Sequence, residues 1–342
     1  MSVAKIDMEM EQAAREHQNH LTKPQGALGR LEDIACWFAA RQGQAIPDAL
    51  KPHICVFAAD HGVTQEGVSA YPSVVTGEMV KNFVAGGAAI NVLAKQHHAG
   101  LSIVDVGVLT DIADIKGVYH AKVSAGTKNI LHEAAMSLDE YQQAVHVGEQ
   151  QAFDAVKAGA NIFIAGDMGI GNTTASACMI CRLAGLEPEQ VVGLGTGIDC
   201  ASHQHKIAVV KAVLKRVKDI PDTDVIRHMG GLEIAAMEGF YRAAATLGVP
   251  ILLDGFIATA AALAACLWDK DVIHWMLASH ISQEKGHQLA LHALGLEPLL
   301  NLNMRLGEGS GAALMLPLLQ SAIALHGDMA TFESAAVSGK GE

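Results

Sequence analysis

The sequence predicts an α/β fold built on a doubly wound, mostly parallel sheet. Three observations carry that reading: short unbroken apolar runs, helix-length segments between most of them, and small, acidic or histidine-bearing residues at the end of each run. Parallel strands covered on both faces read as continuous apolar runs. Strands that alternate with helices return to one sheet through right-handed crossovers.

The elements follow in chain order. Residues 3–20, rich in Glu, Gln and Ala, form one polar helix. Lys23-Pro24-Gln25-Gly26-Ala27-Leu28-Gly29 breaks it, and 30–41 resumes helical periodicity. Strand-like apolar runs occupy 53–59, 101–106, 161–165, 191–194, 250–253 and 272–278, with helical stretches at 77–96, 138–158 and 174–183. A last apolar helix covers 312–319, and 336–342 reads as a frayed tail. The runs end in Asp60-His61-Gly62, Asp105-Val106-Gly107, Gly166-Asp167, Gly195-Thr196-Gly197-Ile198-Asp199, Asp254-Gly255 and Ser279-His280. Any single end of this kind is an ordinary turn. Six of them, each with Asp or His, predict a ligand cleft at the carboxyl ends of the strands, where open parallel sheets bind ligands.

With 342 residues the chain has room for two domains, or one large domain with an appendage. Half of the residues are apolar, and the formal charge of −12 argues against nucleic acid as a partner. That charge says nothing about a small anion, which a few N–H groups and one cation can hold locally. The N-terminus lacks the apolar core of a signal peptide. The most apolar stretch, 251–268, carries Asp254 and Gly255 and reads as a strand entering a buried helix, a poor membrane span. Six scattered cysteines in apolar segments read as reduced core residues. The expected location is the cytoplasm, with no membrane partner.

Two loops carry the chemistry. Gly166-Asp167-Met168-Gly169-Ile170-Gly171-Asn172-Thr173-Thr174 follows a strand and opens a helix. Its glycines let backbone approach a ligand, and the helix N-terminus suits a phosphate. Asn172, Thr173 or Thr174 is available as the helix cap. No Lys follows the glycines, so this is not a nucleoside-triphosphatase P-loop. Gly193-Leu194-Gly195-Thr196-Gly197 has its third glycine too early for a dinucleotide fingerprint and reads as a second phosphate or ribose contact. Lys206, on the helix that follows, is either a phosphate cation or a solvated lysine. The second loop, Leu306-Gly307-Glu308-Gly309-Ser310-Gly311, holds a carboxylate flanked by glycines, either a base or a plain loop carboxylate. Cys178 and Cys181 have metal spacing but no second pair, and Cys200, His203 and His205 lack a fourth ligand, so no metal site is predicted.

Read together, the motifs resemble the nicotinate-nucleotide:dimethylbenzimidazole phosphoribosyltransferase family. The resemblance runs through Lys23 to Glu32, Ala58-Ala59-Asp60-His61-Gly62-Val63, Gly67-Val68-Ser69-Ala70-Tyr71-Pro72, Gly86-Gly87-Ala88-Ala89-Ile90-Asn91, both glycine loops, Gly230-Gly231-Leu232-Glu233-Ile234-Ala235-Ala236-Met237, Ser279-His280 and Arg305 to Leu314. It implies transfer of 5-phosphoribosyl from nicotinate mononucleotide to 5,6-dimethylbenzimidazole with inversion at C1′, giving α-ribazole 5′-phosphate and nicotinate, without metal or other cofactor. It also implies a homodimer and a smaller helical domain built from both chain ends, here 1–22 with 281–342, beside a large nucleotide-binding domain, 23–280. The family's base matches Glu308, with Asp167 as a second carboxylate where the family commonly has Glu. Gly169, Gly171, Asn172, Thr173, Thr174, Gly195, Thr196, Gly197 and Lys206 match nucleotide contacts. Tyr71, Met79 and Leu306 fall where the family encloses the benzimidazole. The rival readings are a nicotinamide-dependent dehydrogenase and a non-catalytic nucleotide sensor.

Overall fold

A computed structural model of the chain describes residues 2–193 and 199–338, with Cys200 described by its backbone alone. Six strands, β1 (Pro52–Ala59), β2 (Gly100–Gly107), β3 (Val118–His120), β4 (Ile162–Met168), β5 (Ile251–Leu253) and β6 (Met276–Ala278), form one sheet in the order β3-β2-β1-β4-β5-β6. Every pairing is parallel. From β1 the chain winds outward through β2 to β3, then crosses back to β4 and winds the other way. The winding reverses between β1 and β4, so the crevice at their carboxyl ends is the switch point of a doubly wound sheet.

Strand β1 shows why both faces had to be apolar. Cys55, Phe57 and Ala59 join one core, whereas Ile54, Val56 and Ala58 join the other. β4 divides the same way, Phe163 and Ala165 against Ile162 and Ile164.

The helices in chain order are α1 (Met8–His20), α2 (Arg30–Gln42), α3 (Val74–Ala85), α4 (Ala89–Gln96), α5 (Leu138–Lys157), α6 (Asn172–Ala184), α7 (Pro188–Val191), α8 (Cys200–Arg216), α9 (Val225–Met229), α10 (Leu232–Leu247), α11 (Phe256–Trp268), α12 (His287–Ala293), α13 (Ser310–Ala313) and α14 (Leu316–Asp328). Helices α5, α6 and α8 to α11 cover the Phe57 face; α2, α3, α4, α13 and α14 cover the Ile54 face. On the first face Phe240 of α10 lies 5.7 Å from the ring of Phe57 and 4.9 Å from that of Phe163. Aromatic pairs of this kind contribute roughly 0.5–1.5 kcal/mol each beyond the area they bury. They fix α10 against the two central strands, and with it Glu233 in the first turn of that helix.

The chain ends pack together. Ala14 of α1 meets Cys36 and Ala39 of α2. Gln18 Nε2 lies 2.7 Å from His326 Nδ1 on α14, and Leu21 bridges Thr331. Buried Lys23 pairs with Glu32 at 2.8 Å, which ties the Lys-Pro-Gln-Gly segment to the start of α2.

Several expectations need correction, among them the single helix at 312–319, which is two: α13 ends at Ala313 and α14 begins at Leu316. Residues 191–194 do not form a strand as far as they are described: Val191 ends the helical turn α7. A short apolar run is equally compatible with a buried turn of helix. The single helix at 77–96 is two helices, because Gly86 closes α3 in the left-handed region at φ 81°. Of 272–278 only the last three residues pair in the sheet; 270–275 form a 3₁₀ turn.

Candidate active site

The cleft is assembled from the strand ends outward. β4 delivers Asp167 and then turns at 169–171 into α6. Gly171 precedes the helix with φ at 98°, a conformation that suits glycine, and no side chain caps α6. The expected cap is thus corrected. Asn172 is already the first helical residue, and its Nδ2 donates to Asp167 Oδ2 at 2.8 Å instead. Thr173 Oγ1 accepts from Lys206 Nζ at 2.8 Å, which brings a cation to the positive end of the α6 dipole. Thr174 is fully buried within the helix. Burial lowers the Lys206 ammonium to about 8, with nearby Glu284 opposing the shift, so the group stays charged at neutral pH. Gly169, Gly171, Asn172, Thr173, Thr174 and Lys206 therefore share one corner. The remaining expected contacts, Gly195, Thr196 and Gly197, lie outside the described residues.

The second loop lies on top of the first. Glu308 N–H donates to the Asp167 carbonyl at 3.3 Å. Gly307, Glu308 and Gly309 have φ of 84°, 64° and 85°. A non-glycine residue in the left-handed region costs on the order of 1–3 kcal/mol and persists only where its surroundings impose it. Here Asp254, at the end of β5, imposes it. Its Oδ2 accepts from Gly309 N–H at 3.0 Å and its Oδ1 from Ala312 N–H at 2.9 Å. Ser310 begins α13 rather than capping it, since Gly309 holds the cap position.

Glu308 is 5% exposed, and its Oε2 is buried without a hydrogen-bond partner among the described residues. Burial pushes its pKa up to about 7; the Ile90 backbone N–H at the start of α4 acts against the shift, and the charge of Asp254 adds to it. A carboxyl titrating near neutrality is suited to accept a proton at physiological pH. Asp167 is raised well above the ordinary carboxyl range, first by burial and then by the charges of Asp254 and Glu233; Asn172 opposes the shift and Glu308 adds to it. Asp254 is itself raised by burial, with His280 and its backbone donors opposing.

Tyr71 and Leu306 are 52% and 56% exposed, and Met79 is half-buried against the Ile54 face. Cys178 and Cys181 are buried thiols within α6, packed into the Phe57 core. His203 and His205 turn their Nε2 atoms to the carbonyls of Val192 and Glu66, at 2.9 and 2.7 Å.

Several buried polar residues near these loops or behind them carried no assigned role in the sequence. Asp60 Oδ1 accepts from Thr76 Oγ1 at 2.7 Å, and that hydroxyl accepts from Ile170 N–H at 3.1 Å, which anchors the turn before α6. His61 Nε2 meets Glu233 Oε1 at 2.6 Å with both side chains fully buried. His287 Nδ1 accepts from Ser282 N–H at 2.8 Å, and its Nε2 lies 2.9 Å from Thr259 Oγ1. The strand-end motifs flagged Asp60, His61 and Asp254; nothing in sequence order linked His61 to a residue on α10.

A doubly wound sheet with a glycine loop, a buried lysine and a neutral-range carboxyl at its switch point defines a nucleotide-handling α/β enzyme. The chain belongs to the phosphoribosyltransferase family, whose profile matches residues 3–337. It is 57% identical to the nicotinate-nucleotide–dimethylbenzimidazole phosphoribosyltransferase of Chromobacterium violaceum, over 98% of each chain. The enzyme of the same name from Pseudomonas aeruginosa strain PAO1 is 47% identical over 97% of this chain and 95% of its own. Among solved structures, CobT from Thermus thermophilus superposes with a TM-score of 0.93 at 43% identity, covering 96% of this chain and 99% of that one. These relatives lend no support to the dehydrogenase or sensor readings.

Proposed function

We propose that the chain transfers 5-phosphoribosyl from nicotinate mononucleotide to 5,6-dimethylbenzimidazole, with inversion at C1′, in assembly of the lower ligand of cobalamin, and that Glu308 is its general base. The observation that carries this reading is the Glu308 carboxyl, enclosed, without a partner at Oε2 among the described residues, and pushed up by burial to about 7. In the donor, the pyridine nitrogen is cationic. When the C1′–N bond breaks, its electron pair neutralises that nitrogen, so nicotinate leaves without a general acid. One nitrogen of the acceptor attacks C1′ from the opposite face. The proton on its other nitrogen passes to Glu308, a contribution of roughly 10²–10⁴-fold for a positioned base.

The rest of the site positions the reactants. Lys206, Gly169, Gly171, Asn172, Thr173 and Thr174 hold the nucleotide, together with Gly195, Thr196 and Gly197. Tyr71, Met79 and Leu306 receive the flat acceptor. Asp167 acts from beneath the Glu308 loop as a second carboxyl; held by Asn172 and raised by burial, it serves as a hydrogen-bonding group rather than a base. We further propose a helical domain from 1–22 with 281–342 beside a nucleotide-binding domain from 23–280, assembly as a homodimer, and action in the cytoplasm. The decisive experiment is mass detection of the α-linked ribotide after incubation with both substrates. Absence of that product, with intact mononucleotide recovered, removes the reading.

A further inference from the structure

The His61–Glu233 pair is the most deeply enclosed ionisable contact of the site. Its Nε2 to Oε1 distance is 2.6 Å, and both side chains have no exposure. Removing such groups from water costs several kcal/mol each before their attraction is counted, and His61 Nδ1 and Glu233 Oε2 have no partners among the described residues. Neither side chain reaches the surface. What they touch is backbone. A methyl group placed on Gly169 would come within 3.1 Å of Glu233 Oε1 and 3.4 Å of His61 Cδ2. One on Gly171 would come within 3.0 Å of His61 Cβ, and one on Gly231 within 2.4 Å of His61 Cε1 and 2.5 Å of Glu233 Oε2. The turn at 169–171 therefore lies against the pair, while Thr76 and Asp60 hold its Ile170 N–H from the side.

We propose that His61 and Glu233 are positioning residues that set the height of the 169–171 turn, and so the place where Gly169 meets the nucleotide. The imidazole comes from the end of β1 and the carboxylate from the start of α10, so their hydrogen bond locks α10 to the central strand directly beneath the loop. Glycines above the pair let the turn settle onto it. The proposal rests on the reading that this turn binds nicotinate mononucleotide.

Steady-state kinetics of the full chain test it. Glu233→Gln keeps the volume but removes the charge from the hydrogen bond. KM for nicotinate mononucleotide is expected to rise about tenfold, the effect of weakening one charged hydrogen bond, with KM for dimethylbenzimidazole unmoved and kcat changed far less. His61→Gln should give the same split and stands in should Glu233→Gln not fold. The double variant should be no worse than the worse single one, because the two act as a unit. A mononucleotide KM within about twofold of native, equal rises in both KM values, or additive losses in the double variant would overturn the proposal. A native chain that gives no ribotide removes instead the reading beneath it, so the two failures are distinguishable.

Discussion

A methyl group on Gly166 would lie 2.3 Å from the carbonyl carbon and 2.3 Å from the carbonyl oxygen of Glu308. The two chemical loops thus meet backbone to backbone, and the absence of a side chain on one strand residue sets the position of the carboxylate. Gly166→Ala should therefore displace Glu308 while leaving most of the fold intact. A misplacement of about 1 Å at a reacting group can lower turnover by about a hundredfold. We expect kcat to fall on that scale with a native circular dichroism spectrum. A folded Gly166→Ala enzyme with native kcat would separate loop packing from catalysis.

Glu308→Gln retains the shape of the side chain and removes its basicity. Loss of kcat by about 10²–10⁴-fold is expected, with nicotinate mononucleotide still bound when titrated calorimetrically. Thermal stability should hold or rise, since an amide costs less to bury than a carboxylate. Native turnover in this variant would assign the proton to another group.

How much of this was legible beforehand depends on what each feature leaves in the sequence. β1, β2 and β4 were readable because burial on both faces writes an unbroken apolar run. β3 was not: it has three residues at the sheet edge, and Tyr119 and His120 are exposed, so no run exists to be read. The loop that carries Glu308 was readable through its glycines, which the positive φ values require, although spacing alone left Glu308 either a base or a plain loop carboxylate. Its clamp was not, because Asp254 reaches Gly309 and Ala312 across 55 and 58 residues of chain. The same separation hides His61–Glu233, whose members are 172 residues apart. Strand-end motifs locate a cleft; they do not state which residue of one end supports which residue of another.

Lys206 is expected to act on binding rather than on turnover. Its Nζ is held by Thr173 Oγ1 at the start of α6, the corner assigned to the phosphate. Lys206→Met should raise KM for nicotinate mononucleotide by about tenfold to a hundredfold, the range of a charged hydrogen bond, and leave KM for the acceptor in place. A split in the opposite sense would move the phosphate away from α6.

Through Glu308, activity and stability should respond to pH in opposite directions. Glu308 accepts a proton only when ionised, so kcat should rise as pH passes through about 7. The Lys206 ammonium is lost as pH passes through about 8, so affinity for the mononucleotide should decline above that point. Together these give a narrow, bell-shaped kcat/KM profile. For stability the unfolded Glu308 carboxyl ionises near its ordinary 4.5, whereas the native one holds its proton to about 7. Between those values the native state binds the extra proton, so each rise in pH favours the unfolded state. The contribution is full below about 4.5 and is lost as pH climbs through about 7. Asp60, Asp167 and Asp254 are raised as well, and act in the same sense, whereas burial lowers His53, His97, His228, His287 and His326, which act in the opposite sense below about 6.5. The urea midpoint of the native chain should therefore decline relative to that of Glu308→Gln between pH 5 and pH 8. Parallel curves would mean that Glu308 is ionised across the whole range and is not the group behind the kinetic limb.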